Sequence, residues 1–221
     1  MENCYIENLL DTDKTIAKEL FEGHTYPWEV LPLIEEFIKT KGEELNEDEF
    51  LKKEGNVWIH KTAKVYPSAY IGENTIICEN AEVRHCAFIR GNAIVGKNAV
   101  VGNSTELKNV ILFDNVQVPH YNYVGDSILG YKAHMGAGSI TSNVKSDKKN
   151  VEIKDGEKII KTDRKKVGAI VGDNVEVGCG SVLNPGTIVG RNTNIYPLSS
   201  VRGVVKENSI YKNKNEIVTK Q

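Results

Sequence analysis

The sequence predicts an all-β solenoid, a parallel β-helix of hexapeptide repeats, preceded by a small helical N-terminal segment. From Ile59 onward an aliphatic residue recurs every six positions, a period that neither a helix nor a simple strand produces. A small residue follows four positions after most of these aliphatic residues, and an asparagine follows three positions after several of them. The same pattern returns from Val171 after one interruption, which indicates a single solenoid with an inserted loop.

Each hexad is expected to form one short strand and one corner, so that three hexads close a triangular coil. The aliphatic residue fills the interior, and asparagine or glycine suits the left-handed backbone of a corner. The expected inward residues are Ile59, Val65, Ile71, Ile77, Val83, Ile89, Val95, Val101 and Leu107, then Val171, Val177, Leu183, Val189, Ile195 and Val201. The expected corner residues are Asn74, Asn80, Asn92, Asn98, Gly138, Asn174, Gly180, Gly186 and Asn192. The pattern blurs from Leu107 to Val124 and resumes at Leu129 and Met135 before the interruption.

Residues 1–55 are predicted to form a helical N-terminal cap. One helix would begin at Thr12 or Asp13 and end at Gly23, and a second would run from Pro27 to about Gly42. A short third helix is expected in residues 46–55. The segment would close an open end of the solenoid; the alternative is a surface that recruits another protein.

The solenoid domain is predicted to span residues 56–206, with a polar C-terminal tail at 207–221 and a loop insertion at 144–166. Such long insertions are uncommon in compact domains and usually serve a site. Residues 145–166 contain nine basic and five acidic side chains. They are expected either to close over a phosphate-bearing substrate or to form a solvated loop.

Composition excludes several classes of partner. The formal net charge is −2, which favours neither nucleic acid nor an anionic membrane surface. No apolar run approaches the roughly 20 residues that span a membrane, and the N-terminal sequence does not have the pattern of a secretory signal. The four cysteines show no paired spacing. We therefore expect a cytoplasmic protein with reduced thiols.

The segment from Val118 to Asn143 contains the strongest candidates for chemistry. His120 stands between Pro119 and Tyr123 where the repeat pattern is broken, and imidazole is a suitable proton acceptor near neutral pH. Arg90 and Lys108 are one coil apart and should stack, as a phosphate subsite or as two solvated charges. The glycines at 136 and 138 fit one hexad and give no nucleotide-binding signal, since no strand-to-helix turn surrounds them.

These motifs resemble a known family. The residues are Arg90, the run GNSTELK that ends at Lys108, PHYNYVGD at 119–126 and GAGSITSN at 136–143. They are similar to the C-terminal acetyltransferase domain of the bifunctional glucosamine-1-phosphate acetyltransferase / N-acetylglucosamine-1-phosphate uridyltransferase family. The segment after the insertion looks closer to the archaeal sugar-1-phosphate nucleotidylyltransferase branch. The resemblance covers about residues 57–205 and implies a left-handed coil.

The resemblance implies an acetyl-CoA-dependent N-acetyltransferase of nucleotide-sugar (UDP-N-acetylglucosamine) biosynthesis that acts on an amino-sugar phosphate as a homotrimer. His120 would be the general base, with Asn143 beside the acetyl group. The sugar phosphate would be bound by Arg90, Lys108, Tyr123, His134 and Lys149. Acetyl-CoA would lie along Ala137, Cys179 and Pro197. At His134 the family has asparagine and at Val144 it has tyrosine, so these two departures bear on the acceptor sugar.

Several alternatives remain open at the sequence level. Residues 1–55 are too few for the family's nucleotidyltransferase domain, so uridylyl transfer is not expected. A non-catalytic sugar-nucleotide-binding partner of a separate nucleotidyltransferase is the second hypothesis. Cys179 as a covalent nucleophile is a weaker mechanism, because an amine attacks a thioester directly. The γ-class carbonic anhydrases also resemble this chain in fold, but His85, His120 and His134 do not form their zinc ligand set, so no metal is expected.

Overall fold

The computed structural model describes residues 2–213 and 216–220, and it is a left-handed parallel β-helix with few helices. The helices in these ranges are α1 (Ile6–Leu9), α2 (Ile34–Glu43) and 3-10 helices at Glu2–Cys4, Thr12–Lys14, Lys18–Phe21 and Pro27–Val30. The strands are β1 (Phe50–Lys53), β2 (Val57–His60), β3 (Lys64–Val65), β4 (Tyr70–Ile71), β5 (Thr75–Ile77), β6 (Glu82–Val83), β7 (Phe88–Ile89), β8 (Ala93–Val95), β9 (Val100–Asn103), β10 (Glu106–Leu112), β11 (Gln117–His120), β12 (Tyr123–Leu129), β13 (His134–Met135), β14 (Ile140–Thr141), β15 (Glu152–Asp155), β16 (Lys158–Lys161), β17 (Ala169–Val171), β18 (Glu176–Val177), β19 (Val182–Leu183), β20 (Thr187–Val189), β21 (Asn194–Ile195), β22 (Ser200–Val201), β23 (Val204–Val205), β24 (Ser209–Asn213) and β25 (Glu216–Thr219).

The strands stack in parallel on three faces. The first face contains β2, β5, β8, the C-terminal halves of β10 and β12, β17, β20 and β23. The second contains β3, β6, β9, β11, β13, β18, β21 and β24. The third contains β4, β7, the N-terminal halves of β10 and β12, β14, β19 and β22. This stacking is the one that the six-residue period predicts.

The inward aliphatic residues form the core, from Ile77 through Leu107 to Val201. Val65 and Ile71, in the first coil, are only half-buried because no earlier coil covers them. The corner asparagines adopt the expected left-handed backbone, with φ between 51° and 57° at Asn74, Asn92 and Asn174. Their side-chain amides also form ladders along the axis. Asn74 Nδ2 donates to Asn92 Oδ1 at 3.1 Å, and a second ladder contains Asn174.

The blurred part of the repeat is a change in coil length. Ile89 pairs with Leu107, eighteen positions on, whereas Leu107 pairs with Val124, seventeen positions on. Each of these shorter coils has one residue fewer at the corner between the third and first faces. As a result β10 and β12 each run unbroken through that corner, with Asn109 and Asp126 in the left-handed region at φ 55° and 46°.

The N-terminal segment covers the side of the solenoid, where we expected it to close an end. The outward residues of the first face are apolar and buried: Trp58, Ile76, Ile94, Ile111 and Ile128. Helix α2 packs on β5, β8 and β10, and the 3-10 helix at Pro27–Val30 packs on β12. Burial of this aliphatic column drives the contact.

Two local predictions in this segment are wrong, whereas the second helix ends at Glu43, within one residue of the expected position. Residues 50–53 form β1, antiparallel to β2, in place of a third helix. The first predicted helix is two short 3-10 helices, and Asp11 caps the first of them by accepting from the Asp13 N–H at 3.2 Å. Gly42 lies inside α2, where an added Cβ would lie 2.4 Å from ring atoms of Trp58. Close approach of the helix to that indole explains this glycine.

The insertion contains an antiparallel hairpin, β15 with β16. Val151 and Ile153 are buried, and both lie within van der Waals distance of a Cβ placed at the corner residue Gly186. The hairpin thus packs on the solenoid through its own apolar residues. The sequence analysis considered only the charged side chains of the insertion and did not predict this contact.

The segment expected to be a polar tail continues the solenoid. Strand β24 pairs in parallel with β21 and then forms an antiparallel hairpin with β25. Tyr211 is buried, and its hydroxyl donates to the Ser200 carbonyl at 3.2 Å. Positions 214, 215 and 221 of the expected tail, like Met1, lie outside the described residues.

In the part of the chain that the structure describes, no helix has the length and apolar character to cross a membrane.

Candidate active site

His120 ends β11 at the corner between the second and third faces. This corner is a column of equivalent positions in successive coils, and it includes His85, Asn103, His120, Ala137, Cys179 and Pro197. Backbone hydrogen bonds connect it: the Gly138 N–H donates to the His120 carbonyl at 3.0 Å, and the Gly180 N–H donates to the Ala137 carbonyl at 2.9 Å. The structure therefore places the predicted base and the three predicted acetyl-CoA positions on one exposed edge.

A buried asparagine fixes the backbone of His120. Asn122 is 2% exposed, and its Oδ1 accepts the His120 N–H at 3.1 Å. Its Nδ2 donates to the carbonyls of Gly136 at 2.9 Å and Ser139 at 3.1 Å. The His120 ring itself is exposed and has no hydrogen-bond partner among the described residues. Hydrogen bonds thus hold the backbone of the histidine and leave its ring free for a ligand.

The sequence analysis did not identify Asn122, although the repeat contains a signal for it. It occupies the small-residue position of the hexad, which Ala87, Thr105 and Ser139 fill in neighbouring coils. A buried amide at that position needs several hydrogen-bond partners. An asparagine in place of the usual small residue therefore indicates that Asn122 has a structural role.

Arg90 and Lys108 lie on adjacent coils of the third face, as predicted, and the Arg90 N–H donates to the Leu107 carbonyl at 2.8 Å. Each cation has its own carboxylate partner. Arg90 Nη1 lies 2.9 Å from Glu106 Oε1, and Lys108 Nζ lies 3.0 Å from Asp126 Oδ1. The two stacked cations, which were expected to form a phosphate subsite or to be solvated charges, are therefore each paired with a carboxylate.

Asp126 is buried at the corner between the third and first faces, and it is the centre of a partly buried polar network. Besides Lys108, it accepts from Asn109 Nδ2 at 3.1 Å and from Asn143 Nδ2 at 2.5 Å. Asn143 Nδ2 also lies 3.3 Å from the Tyr123 hydroxyl. Burial raises the pKa of Tyr123, and the nearby charges of Asp126 and Glu106 raise it further. The network connects three predicted site residues through a carboxylate that the sequence did not single out.

Asn143 was predicted to lie beside the acetyl group. In this structure its amide nitrogen donates to Asp126, across the third face from the corner that carries His120. The geometry thus groups Asn143 with Lys108 and Tyr123.

An open cavity of about 580 Å³ adjoins this network. Leu31, Pro32 and Glu35 of the N-terminal segment form one wall, and residues 163–166 at the end of the insertion form another. Lys108, Asn109 and Asp126 form the floor. Its residues come from three distant parts of the sequence, so no local motif could have identified it.

Two predicted substrate residues lie elsewhere. His134 faces outward on the second face, and its Nδ1 lies 2.7 Å from Glu176 Oε2. Lys149 is exposed on the insertion, where its backbone N–H donates to Asp147 Oδ1 at 3.0 Å, and it does not line the cavity. Within one chain, neither residue joins the Asp126 network.

The histidines and cysteines of the described residues show no metal site. No group of three or more His, Cys, Asp or Glu side chains there is arranged to hold an ion. The His85 ring instead lies 2.9 Å from Ser68 Oγ. All four cysteines are free, with Cys179 exposed.

Comparisons with known proteins agree with the repeat architecture. Residues 54–85 match the family described as bacterial transferase hexapeptide (six repeats), and residues 75–163 match the GMPPB C-terminal domain. One solved structure with a similar trace is a variant of perosamine N-acetyltransferase from Caulobacter crescentus, in complex with CoA and GDP-perosamine. It is 15% identical, covers 75% of this chain and 56% of its own, and has a TM-score of 0.35, too low to support any argument about function.

Several curated relatives are named as bifunctional proteins. The bifunctional protein GlmU of Methanococcus maripaludis (strain C7) is 37% identical over 119 residues, which is 53% of this chain and 29% of the relative. The bifunctional sugar-1-phosphate nucleotidylyltransferase/acetyltransferase of Sulfurisphaera tokodaii is 27% identical over 200 residues, 86% of this chain and 49% of the relative. The chain thus spans less than half the length of either relative. It is a hexapeptide-repeat chain related to the C-terminal part of the GlmU proteins and the archaeal nucleotidylyltransferase/acetyltransferases.

Proposed function

We propose that the protein is an N-acetyltransferase that moves an acetyl group from acetyl-CoA to the amine of an amino-sugar phosphate. The observation that carries the proposal is the exposed ring of His120, fixed through its backbone on the same edge as Ala137, Cys179 and Pro197. The relation to a protein named bifunctional sugar-1-phosphate nucleotidylyltransferase/acetyltransferase supports it. The proposal includes a homotrimer, in which the exposed edge of each subunit would face its neighbour.

The proposed chemistry needs one proton acceptor. The sugar amine attacks the thioester carbonyl, and the His120 ring accepts the proton that the attacking nitrogen loses. The carbon–sulfur bond then breaks, and the same imidazolium returns the proton to the departing thiolate of coenzyme A. Imidazole suits both steps because its ordinary pKa lies near neutrality.

The remaining residues of the proposal bind and orient substrate. Tyr123 is half-buried on the third face beside the His120 corner, and its raised pKa keeps the phenol protonated as a hydrogen-bond donor at neutral pH. Arg90 and Lys108 lie on the same face, each within an ion pair that substrate would have to share or exchange. His134 is paired with Glu176 on the second face and Lys149 does not line the cavity, so their proposed contacts would be made across a subunit interface or after movement of the insertion.

His120→Ala tests the proposal. A positioned base contributes about 10²–10⁴-fold, so acetyl-CoA consumption with a panel of amino-sugar phosphates should fall by at least about a hundredfold. The exposed ring has little packing role, and the melting temperature should stay nearly unchanged. His85→Ala, on the same edge two coils away, is the matched control and should keep most activity.

Wild-type protein that consumes no acetyl-CoA with any amino sugar, yet binds a sugar nucleotide, would instead support the non-catalytic partner of a separate nucleotidyltransferase. A His120→Ala variant that keeps more than about a tenth of the wild-type rate would reject His120 as the base.

A further inference from the structure

We propose that the acceptor is a nucleotide-linked amino sugar, and that its base stacks on Tyr70 and Phe88, an exposed aromatic pair on the third face. The inference rests on the proposed function for the position of the amine at His120. It keeps the phosphate groups at Arg90 and Lys108 and adds a base subsite at residues that neither the motifs nor the comparisons assign. The acceptor then carries a nucleoside diphosphate in place of a single phosphate.

The aromatic pair projects from the solenoid into solvent. Tyr70 is 60% exposed and Phe88 is 42% exposed, although both side chains are large and mostly apolar. The two residues pair directly in β4 and β7, and their ring centroids lie 5.4 Å apart at an interplanar angle of 57°. Adjacent exposed rings form an apolar patch, which indicates a binding site where single exposed residues do not. A flat aromatic ligand suits this patch, because aromatic rings stack on one another.

The strand register places this pair next to the cations of the third face. The outward residues of this face, in successive coils, are Tyr70, Phe88, Glu106 and Tyr123. Arg90 follows Phe88 by two positions and therefore lies on the same side of the sheet. Adjacent strands are about 4.8 Å apart, so Phe88 lies about 10 Å and Tyr70 about 14 Å along the axis from Tyr123.

A nucleotide-linked amino sugar has its groups in the same order as their partners on this face. The amino sugar comes first, at Tyr123 and the His120 corner. The diphosphate follows at Lys108 and Arg90, and the base comes last, on the aromatic pair. An amino-sugar 1-phosphate would end at the two cations and leave both rings uncovered. The exposed pair is therefore the observation that distinguishes the two classes of acceptor.

Glu106 lies between the aromatic pair and the sugar, where the ribose would be. Its Oε1 is 2.9 Å from Arg90 Nη1 in the free protein. A phosphate that takes over the Arg90 guanidinium releases this carboxylate. The two ribose hydroxyls are donors that a carboxylate accepts, so the ion pair is exchanged for contacts on both of its partners.

Isothermal titration calorimetry tests the subsite, with UDP, GDP and pyrophosphate as probes. At least one of the two nucleotides should bind more tightly than pyrophosphate. Phe88→Ala and Tyr70→Ala should each weaken its binding by about 5- to 150-fold, as expected for loss of stacking on a base. Both variants should bind pyrophosphate within about twofold of the wild type, because this probe has no base.

Two control variants distinguish stacking from other effects. Tyr70→Phe keeps the ring and should bind the nucleotides as the wild type does. Tyr131→Ala removes a partly exposed tyrosine at the corner between the first and second faces, and it should change nucleotide binding by less than about twofold. Nucleotides that bind no more tightly than pyrophosphate, or full nucleotide affinity in both alanine variants, would overturn the subsite. The same holds if Phe88→Ala alters the oligomeric state in light scattering but leaves nucleotide binding unchanged, since the pair would then be a subunit contact.

Acetyl transfer separates the subsite from the proposed function. The kcat/KM for a nucleoside diphosphate amino sugar should exceed that for the corresponding amino-sugar 1-phosphate, and Phe88→Ala should remove most of this preference. If no acceptor is acetylated but the base-dependent binding holds, the proposed function fails and the subsite stands. If both acceptors are acetylated equally, and Phe88→Ala changes neither KM, the subsite fails alone.

Discussion

The Asp126 network predicts a large loss of stability from the single substitution Asp126→Asn. The change keeps the size of the side chain, and asparagine readily adopts the left-handed backbone found here, φ 46°. It removes the negative charge and replaces one acceptor oxygen by an NH₂ group that opposes the donors of Lys108, Asn109 or Asn143. The substitution therefore isolates the electrostatic role of the carboxylate.

The magnitude follows from burial. The Asp126 side chain is 6% exposed and that of Lys108 is 27% exposed. Removing one partner of a buried ion pair costs about 3–5 kcal/mol, and the partial exposure of Lys108 places this case near the lower end. For a chain of this size, about 3 kcal/mol lowers the melting temperature by roughly 6–12 °C.

Urea unfolding measures the effect, and the neighbouring ion pair is the matched control. Arg90 and Glu106 are 48% and 33% exposed, so Glu106→Gln should cost less than about 1 kcal/mol. The double variant Asp126→Asn, Lys108→Met should recover part of the lost stability, because it removes the unpaired cation. If Asp126→Asn costs no more than Glu106→Gln, the reasoning about the network is wrong.

Two further predictions concern the core. Gly42→Ala should destabilise the protein by about 1–3 kcal/mol in urea, although alanine favours helices, because its Cβ would overlap the Trp58 ring; a stabilised variant would refute the close packing. Burial raises the pKa of the Cys78 thiol from 9.0 to about 12, so the folded protein retains a proton that the unfolded chain releases in this window. Stability should fall as the pH rises from about 9 to 12, approaching about 1.4 kcal/mol per pH unit from this group. Cys78→Ala should show a correspondingly shallower decline, and equal slopes would contradict the assignment.

The sequence by itself determined the solenoid, because each hexad makes its strand and corner from local residues. The inward position of Ile89 and the left-handed corner at Asn92 follow from a backbone preference and a burial requirement that repeat in every coil. The stacking of Arg90 on Lys108 follows from the same period. The outward apolar residues of the first face, Ile76 and Ile94 among them, are also present in the sequence, but the sequence analysis did not use them to predict that another segment covers this face.

Only the tertiary structure decided what covers that face and how the site charges are paired. Apolar burial is non-directional, so Ile94 could not indicate that α2 is its partner. The pairing of Lys108 with Asp126 depends on a one-residue change in coil length that brings a corner carboxylate beneath the lysine. The cavity lined by Glu35 and Arg164 exists because two segments far apart in sequence meet over one corner of the solenoid. Contacts between segments that are distant in sequence depend on the tertiary structure, which the six-residue period does not specify.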